Sequence, residues 1–400
     1  MRETSLGELA DAGVLSIGDG HRAKLDELGG IGPWFLRAGA LSERGFDFSG
    51  LDAFHSAVGL EKKLGWSGDV VITTKGNSIG RVGWVPDDAP LFVYSPHLSF
   101  WRSLDHSTVH PRFLYYWARS DAFRGQLHGL GFGTDMAPYL SLRDQERLRL
   151  RLPDSLMQSA IAEMLGALDD KIAANDRQLG LAAALADAIF VRAVRALPDS
   201  DLTFGDVAEV GGGGTPRTAA DEYWGGDIPW ATPTDVTRLT APYLSATNRM
   251  ITDAGLAACA SSLYPAGSIL MTSRATIGAF AIAEVPAAVN QGFIVVNAKE
   301  RAFQWWLFHE MRSRVQEFLT FANGATFLEL ARGRFKSFPV RLPEIEGARE
   351  FDEAVRPLHA LASSLVHENR QLAGARDELL PLLMSGKVRV RDAEKVVEVL

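Results

Sequence analysis

The chain has 400 residues, enough for two domains of ordinary size, and its 46% apolar content is that of a globular protein with a buried core. The only cysteine, Cys259, excludes an intrachain disulfide, and no run approaches the ~18 consecutive apolar residues of a membrane span. The formal net charge of −8 argues mildly against a nucleic-acid binder, although a large acidic chain can still carry a basic face.

Taken in chain order, the sequence runs twice through one series. The first twenty residues carry charges and glycines without the apolar stretch of a signal peptide, so a soluble cytoplasmic protein is expected. Ser5-Leu6-Gly7-Glu8-Leu9-Ala10 returns as Thr203-Phe204-Gly205-Asp206-Val207-Ala208, and Ile31-Gly32-Pro33-Trp34 returns as Ile228-Pro229-Trp230. Gly68-Asp69-Val70-Val71-Ile72-Thr73 matches Gly267-Ser268-Ile269-Leu270-Met271-Thr272. A basic residue and a short polar loop follow each time, Lys75 to Gly80 and then Arg274 to Gly278. Gly133-Thr134 precedes the end of the first half, Gly324-Ala325-Thr326 that of the second, and both close on Arg-Leu-Pro, at Arg151 and Arg341. Short apolar runs bounded by Gly and Pro predict strands at Asp69–Thr73, Ser268–Thr272 and Phe293–Val296. Helical spacing predicts helices over Phe113–Phe123 and Ala302–Phe318. A repeat of this kind is read before any single element, because it sets the whole architecture.

After each Arg-Leu-Pro the pattern changes. Ile161, Leu165, Leu168, Ile172, Asn175, Leu179, Ala182, Ala186 and Ile189 follow one another in alternating steps of four and three, as in a coiled-coil seam. The second half repeats the walk with Leu358, Leu361, Leu365, Glu368, Leu372, Ala375, Leu379 and Leu382. About 40 residues of helix span roughly 60 Å at ~1.5 Å per residue, or roughly 18 base pairs of B-DNA at ~3.4 Å each. One polar residue interrupts each seam, Asn175 and Glu368, at equivalent repeat positions. If a pseudo-two-fold axis relates the halves, the helices run antiparallel. Asn175 then meets Glu368 and fixes register; the alternative is that Glu368 simply reaches solvent. The expected domains are 1–153 and 198–343, with helices over 154–197 and 344–400.

The second half carries a further ordered series: Gly211-Gly212-Gly213-Gly214-Thr215-Pro216-Arg217, Tyr223 to Trp230, Thr234-Asp235-Val236, Ile251 to Gly255, Arg274 to Gly278, and Asn290-Gln291-Gly292-Phe293. After the first half come Gln158 to Ala162 and Leu168-Asp169-Asp170-Lys171-Ile172. Together they resemble the DNA-specificity subunit of type I restriction-modification systems, and the resemblance covers essentially the whole chain. The first half is thinner: it lacks the Gly-Thr-Pro loop and shows Ser95-Pro96-His97-Leu98 in place of Asn-Gln-Gly-Phe. The lead-in Pro343 to Glu353 also lacks the family's usual glutamine.

The resemblance implies two tandem α/β (α+β) target-recognition domains, joined by two long antiparallel coiled-coil helices with pseudo-two-fold symmetry. Each domain would read one half of a bipartite site in double-stranded DNA, with the helices setting the spacer. Two methyltransferase subunits would dock on the helices and domain flanks, and restriction and motor subunits would complete the assembly. The chain itself would do no chemistry and hold no cofactor. S-adenosylmethionine, ATP and Mg would reside on the partner subunits.

Residue chemistry supplies the contact candidates. Lys75, Asn77 and Ser78, with Arg274 and Thr276, occupy loops suited to phosphate contact; ordinary solvated turns are the alternative. Asn323 and Thr326 flank Gly324 and have base-reading chemistry against capping and turn duty, and Thr134, after Gly133, is a further DNA-contact candidate. Thr215 and Arg217 follow four glycines, predicting either a loop that orders on DNA or a plain linker. The Gly-Lys-Ser/Thr ending of a phosphate-binding P-loop is absent. Thr232, Thr234, Asp235, Asn290 and Gln291 have base-reading chemistry, against capping and turn duty. The nine histidines show no metal-ligand spacing. A methyltransferase would need an Asn/Asp-Pro-Pro-aromatic motif and a nuclease a carboxylate cluster with lysine, and neither is found. A protein-only scaffold would explain the seams but not the duplicated polar loops.

Overall fold

The computed structural model describes residues 2–42, 45–131, 139–195, 197, 200–323 and 328–397. Thr134 and Thr326 lie outside them. The chain divides into two compact units, Met1–Lys171 with Gln371–Leu400, and Ile172–Arg370.

A short capped helix stands near the start of each repeat. Ser5 and Glu8 form a reciprocal capping box at Leu6–Asp11, and Thr203 and Asp206 form one at Phe204–Val207. These hydroxyl–carboxylate pairs satisfy backbone N–H groups that a helix start leaves orphaned, at about 1 kcal/mol each. The end of each domain returns to pair with this start. Arg2–Ser5 lies antiparallel to Arg149–Leu152, while Thr203 bridges Pro339 and Val340 N–H donates to Leu202 O at 2.9 Å.

The central sheets share one order. In the first unit it is Leu15–Asp19, Leu98–Ser103, Val70–Thr73, Val82–Trp84, each pair antiparallel. In the second it is Ala208–Gly211, Phe293–Ala298, Ile269–Thr272, Phe280–Ala283, extended by a parallel strand, Tyr243–Leu244. The middle strands Val70–Thr73 and Ile269–Thr272 are buried at every residue, so they read as continuous apolar runs, not alternations. Gly68 and Gly267 precede them at φ +80° and +91°, the left-handed region that glycine enters without strain. A small parallel pair also recurs: Trp34–Leu36 with Phe92–Tyr94, and Trp230–Ala231 with Ala288–Val289.

The expected single helices over Phe113–Phe123 and Ala302–Phe318 are each broken. Pro111–Arg119 gives way to Asp121–Gly131 at Ser120, and Gln304–Ser313 to Val315–Thr320 at Arg314. Apolar spacing continues through both breaks, which is why periodicity alone merged the segments. In the second, the Arg314 guanidinium bonds Glu310 and Glu317 on either side.

The long helices are Ser155–Val194 and Ile345–Met384. In the second unit they run antiparallel, with Asn175 against Glu368 and Asn369, and Phe190 against Phe351. In the first unit Asp169 meets Arg376 at 2.7 Å. Ile161, Leu165, Leu168, Leu365, Leu372 and Leu379 are buried; Ile172, Leu179, Leu358 and Glu368 are half-buried. Leu361 departs from the expected seam and is 45% exposed. The second helix turns Val355, His359, Ala362 and Val366 inward against the domain, and Leu361 falls outside that arc.

A buried polar chain ties this unit together. Tyr243 on the sheet bonds His359 Nδ1 at 2.9 Å, His359 Nε2 meets His309 Nε2 at 3.0 Å, and His309 Nδ1 meets Asp187 at 2.9 Å. Only one neutral arrangement satisfies every atom: Tyr243 O–H donates to His359, His359 to His309, and His309 to the Asp187 carboxylate. The Trp305 ring stacks on His359 with centroids 3.8 Å apart.

Candidate nucleic-acid interface

In the second unit the strand Ile269–Thr272 runs into a pinned loop. Ser273 N–H donates to Gly292 O at 2.7 Å, Leu330 N–H to Ser273 O at 2.9 Å, and Ala275 N–H to Leu328 O at 3.1 Å. Ala275, at φ +59°, is the sole non-glycine in the left-handed region among the described residues. The loop lines a cleft of about 320 Å³ with Pro233, Thr234, Thr237, Arg274, Thr276, Asn290, Gln291 and Gly292. Five residues proposed from sequence, spread over almost sixty positions, thus meet in one concavity: Thr234, Arg274, Thr276, Asn290 and Gln291.

Their bonding refines what each can do. The Arg274 guanidinium is already paired with Glu329 at 2.9 Å, so it is not an unopposed cation awaiting phosphate. Asn290 Oδ1 accepts Gly292 N–H at 2.8 Å, which is turn duty, and Gln291 Oε1 accepts the Thr215 hydroxyl at 2.7 Å. Among the described residues both amide NH2 groups remain available as donors. Thr234 and Thr276 are exposed.

Two candidates are occupied otherwise. Asp235 is buried, and its Oδ2 accepts Thr232 N–H at 2.8 Å and the Thr232 hydroxyl at 2.6 Å, capping the helix Pro233–Thr237. Its Oδ1 accepts Asn248 N–H at 3.0 Å. Three of its acceptor directions are taken within the fold, so Asp235 anchors the segment around Asn248 to the cleft helix. The sequence signal for this was the Thr-x-x-Asp spacing itself.

The glycine loop packs closely against its neighbours. A Cβ at Gly213 would sit 1.8 Å from Val289 O, one at Gly211 2.2 Å from the Tyr264 hydroxyl, and one at Gly212 2.4 Å from the Arg332 guanidinium. The glycines are there because the backbone lies against its neighbours. Trp230 Nε1–H donates to Gly214 O at 3.1 Å and Trp224 Nε1–H to Arg217 O at 3.3 Å. Thr215 and Arg217 are thereby presented, exposed, on a fixed frame. Asn323 bridges Glu329 through backbone bonds and does not line the cleft.

The first unit has the same frame with different chemistry. Thr74 N–H donates to His97 O at 2.9 Å and Leu140 N–H to Thr74 O at 3.0 Å, matching the bonds around Ser273. Gly76 at φ +79° stands where Ala275 stands, and Ser95-Pro96-His97-Leu98 takes the path of Asn290 to Phe293. The Lys75 ammonium lies 4.5 Å from the Tyr139 ring centroid, a cation–π contact in place of the Arg274–Glu329 ion pair. Asn77 is exposed and Ser78 half-buried. Neither they nor Lys75 line a cleft of about 510 Å³ in this unit, where Arg81, Arg119, Arg124 and Arg376 face Asp121 and Asp377.

Sequence reasoning missed one group. Arg249 is exposed, with its guanidinium carbon 3.4 Å from the Trp224 centroid and 5.7 Å from that of Trp230. No local motif marks it. Among the described residues no group of His, Cys, Asp and Glu could hold a metal ion, and no helix is long and apolar enough to cross a membrane.

The family model for the type I restriction modification DNA specificity domain matches residues 201–352. The chain is 39% identical over 143 residues to the type I restriction enzyme MjaIX specificity subunit of Methanocaldococcus jannaschii, covering 35% of this chain and 33% of that protein. It is 27% identical over 170 residues to the EcoR124I/EcoR124II specificity subunit of Escherichia coli, covering 41% of each. The chain therefore spans between a third and about two fifths of these relatives. In fold it resembles the crystal structure of a type I restriction-modification S subunit from M. genitalium, with a TM-score of 0.62, 14% identity and coverage of 96% of this chain and 95% of the other.

Proposed function

We propose that the chain, whose residues 201–352 match the type I restriction modification DNA specificity domain, is a specificity subunit that recognises a bipartite sequence in double-stranded DNA without catalysing a reaction. The supporting observation is the cleft in the matched domain. It collects Thr234, Arg274, Thr276, Asn290 and Gln291, hydroxyls and amides whose donors and acceptors suit groove edges and phosphates. The first domain, on the same frame with Lys75 over Tyr139 where the second has an ion pair, would read a different half-site. In this reading the long helices set the spacer and dock two methyltransferase subunits, with restriction and motor subunits added. S-adenosylmethionine, ATP and Mg act on those partners, in the cytoplasm.

The test is binding of the full chain, alone and with the methyltransferase subunit of its host, to random duplex DNA followed by sequencing. The expected result is a two-part motif with a fixed gap, bound more weakly as salt rises. Methyl transfer or cleavage by the chain alone, or no motif even with the partner present, would overturn the proposal.

A further inference from the structure

We propose that Arg249 reads a guanine in the half-site of the second domain; this rests on the DNA-recognition reading above. Three observations carry it. First, the guanidinium lies on the face of Trp224, 3.4 Å from its centroid. Stacking fixes the plane of the fork and leaves its edge donors open, the geometry for bidentate bonds to guanine O6 and N7. Second, the cleft's own arginine is paired: Arg274 is held by Glu329 at 2.9 Å, whereas Arg249 makes no ion pair among the described residues. Third, the platform is hydrogen-bonded on both rings and joined to the cleft. The indole N–H groups of Trp224 and Trp230 are bonded to Arg217 O and Gly214 O. Arg249 O accepts Trp230 N–H at 3.1 Å, and Asp235 Oδ1 accepts Asn248 N–H at 3.0 Å from the helix whose Pro233, Thr234 and Thr237 line the cleft. A long, exposed arginine held this firmly has given up side-chain entropy before any ligand arrives, which favours specific contact over general charge attraction.

The experiment measures binding of the full chain, with its methyltransferase partner, to the motif selected from random duplex DNA and to every single base-pair change of it. Wild type, Arg249→Ala and Arg249→Lys are compared at several salt concentrations, after thermal melting shows all three to be equally folded. The expected result is that Arg249→Ala weakens the selected site by about tenfold to a hundredfold and flattens discrimination at one guanine in one half-site. The other half-site is read as before. Arg249→Lys keeps the charge but does not restore discrimination, since an ammonium lacks the planar fork. A loss spread evenly over all sequences, with a salt slope reduced by about one, would assign Arg249 to a phosphate and overturn the inference, as would full rescue by lysine or an unchanged profile. In each of these cases the wild-type motif persists and only the role of Arg249 falls. If wild type selects no motif, the DNA-recognition reading fails and the inference with it.

Discussion

Ala275 and Gly76 occupy one position in two copies of the same loop, and both have positive φ, +59° and +79°. Glycine enters this region freely, whereas a Cβ there crowds the following carbonyl. Ala275→Gly is therefore expected to raise the stability of the second unit by a few tenths up to about 1 kcal/mol, relief of strain outweighing the added freedom of the unfolded chain. Urea denaturation of the two proteins measures it. A clear loss of stability would show that the loop tolerates alanine without strain.

Among the elements, the helix pair of the second unit is interrupted by polar atoms at one point. Asn175 is fully buried and donates to Glu368 at 3.0 Å and Asn369 at 2.9 Å, and Asn369 in turn donates to Asp176 at 2.8 Å. The Asn175 Oδ1 atom is buried and has no hydrogen-bond partner among the described residues. An apolar replacement would remove that cost, yet these atoms favour one register over its neighbours. The double variant Asn175→Leu, Glu368→Leu is expected to melt at a higher temperature and to lose selectivity for the gap between the half-sites. Retained selectivity in the binding selection would remove the register role.

At the scale of the whole molecule, pH acts through the buried chain Tyr243, His359, His309 and Asp187, with Arg312 also on Asp187 at 2.9 Å. Burial pushes the His359 imidazole down to about 3, with His309 and Arg312 adding to the fall, and burial lowers His309 despite the pull of Asp187. A histidine with a depressed value in the fold takes its proton first when unfolded. Its stabilising contribution is complete above the ordinary value of about 6.5 and is lost as pH falls from there towards 3. At about pH 5 the loss from His359 is on the order of 2 kcal/mol. Amide exchange in the helix Gln304–Ser313 should accelerate between about pH 7.5 and 5, after correction for intrinsic rates, and His359→Gln should blunt that dependence. Equal protection at both values would mean the chain is not an effective pH sensor.

Much of this architecture is written locally. The two capping boxes, the glycines before the central strands, the all-apolar strands and the two helical stretches each follow from spacing or backbone conformation over a few residues, so the repeat displayed them. Asn290 and Thr234 could be proposed because their chemistry is legible in one residue. What the tertiary structure decided is which of these groups are free. Asp235 and Thr232 have base-reading chemistry but spend it on each other and on Asn248; Arg274 spends its charge on Glu329, 55 residues away. The four glycines signal close approach or mobility equally well until Val289 and Tyr264 are seen against them. Arg249 carries no local signal, because its preparation comes from Trp224 and Trp230 across strand pairing. By itself the sequence determined the elements and their duplication, which depend on near neighbours in the chain. Availability of a polar group depends on partners brought together only by folding, and that was settled in three dimensions.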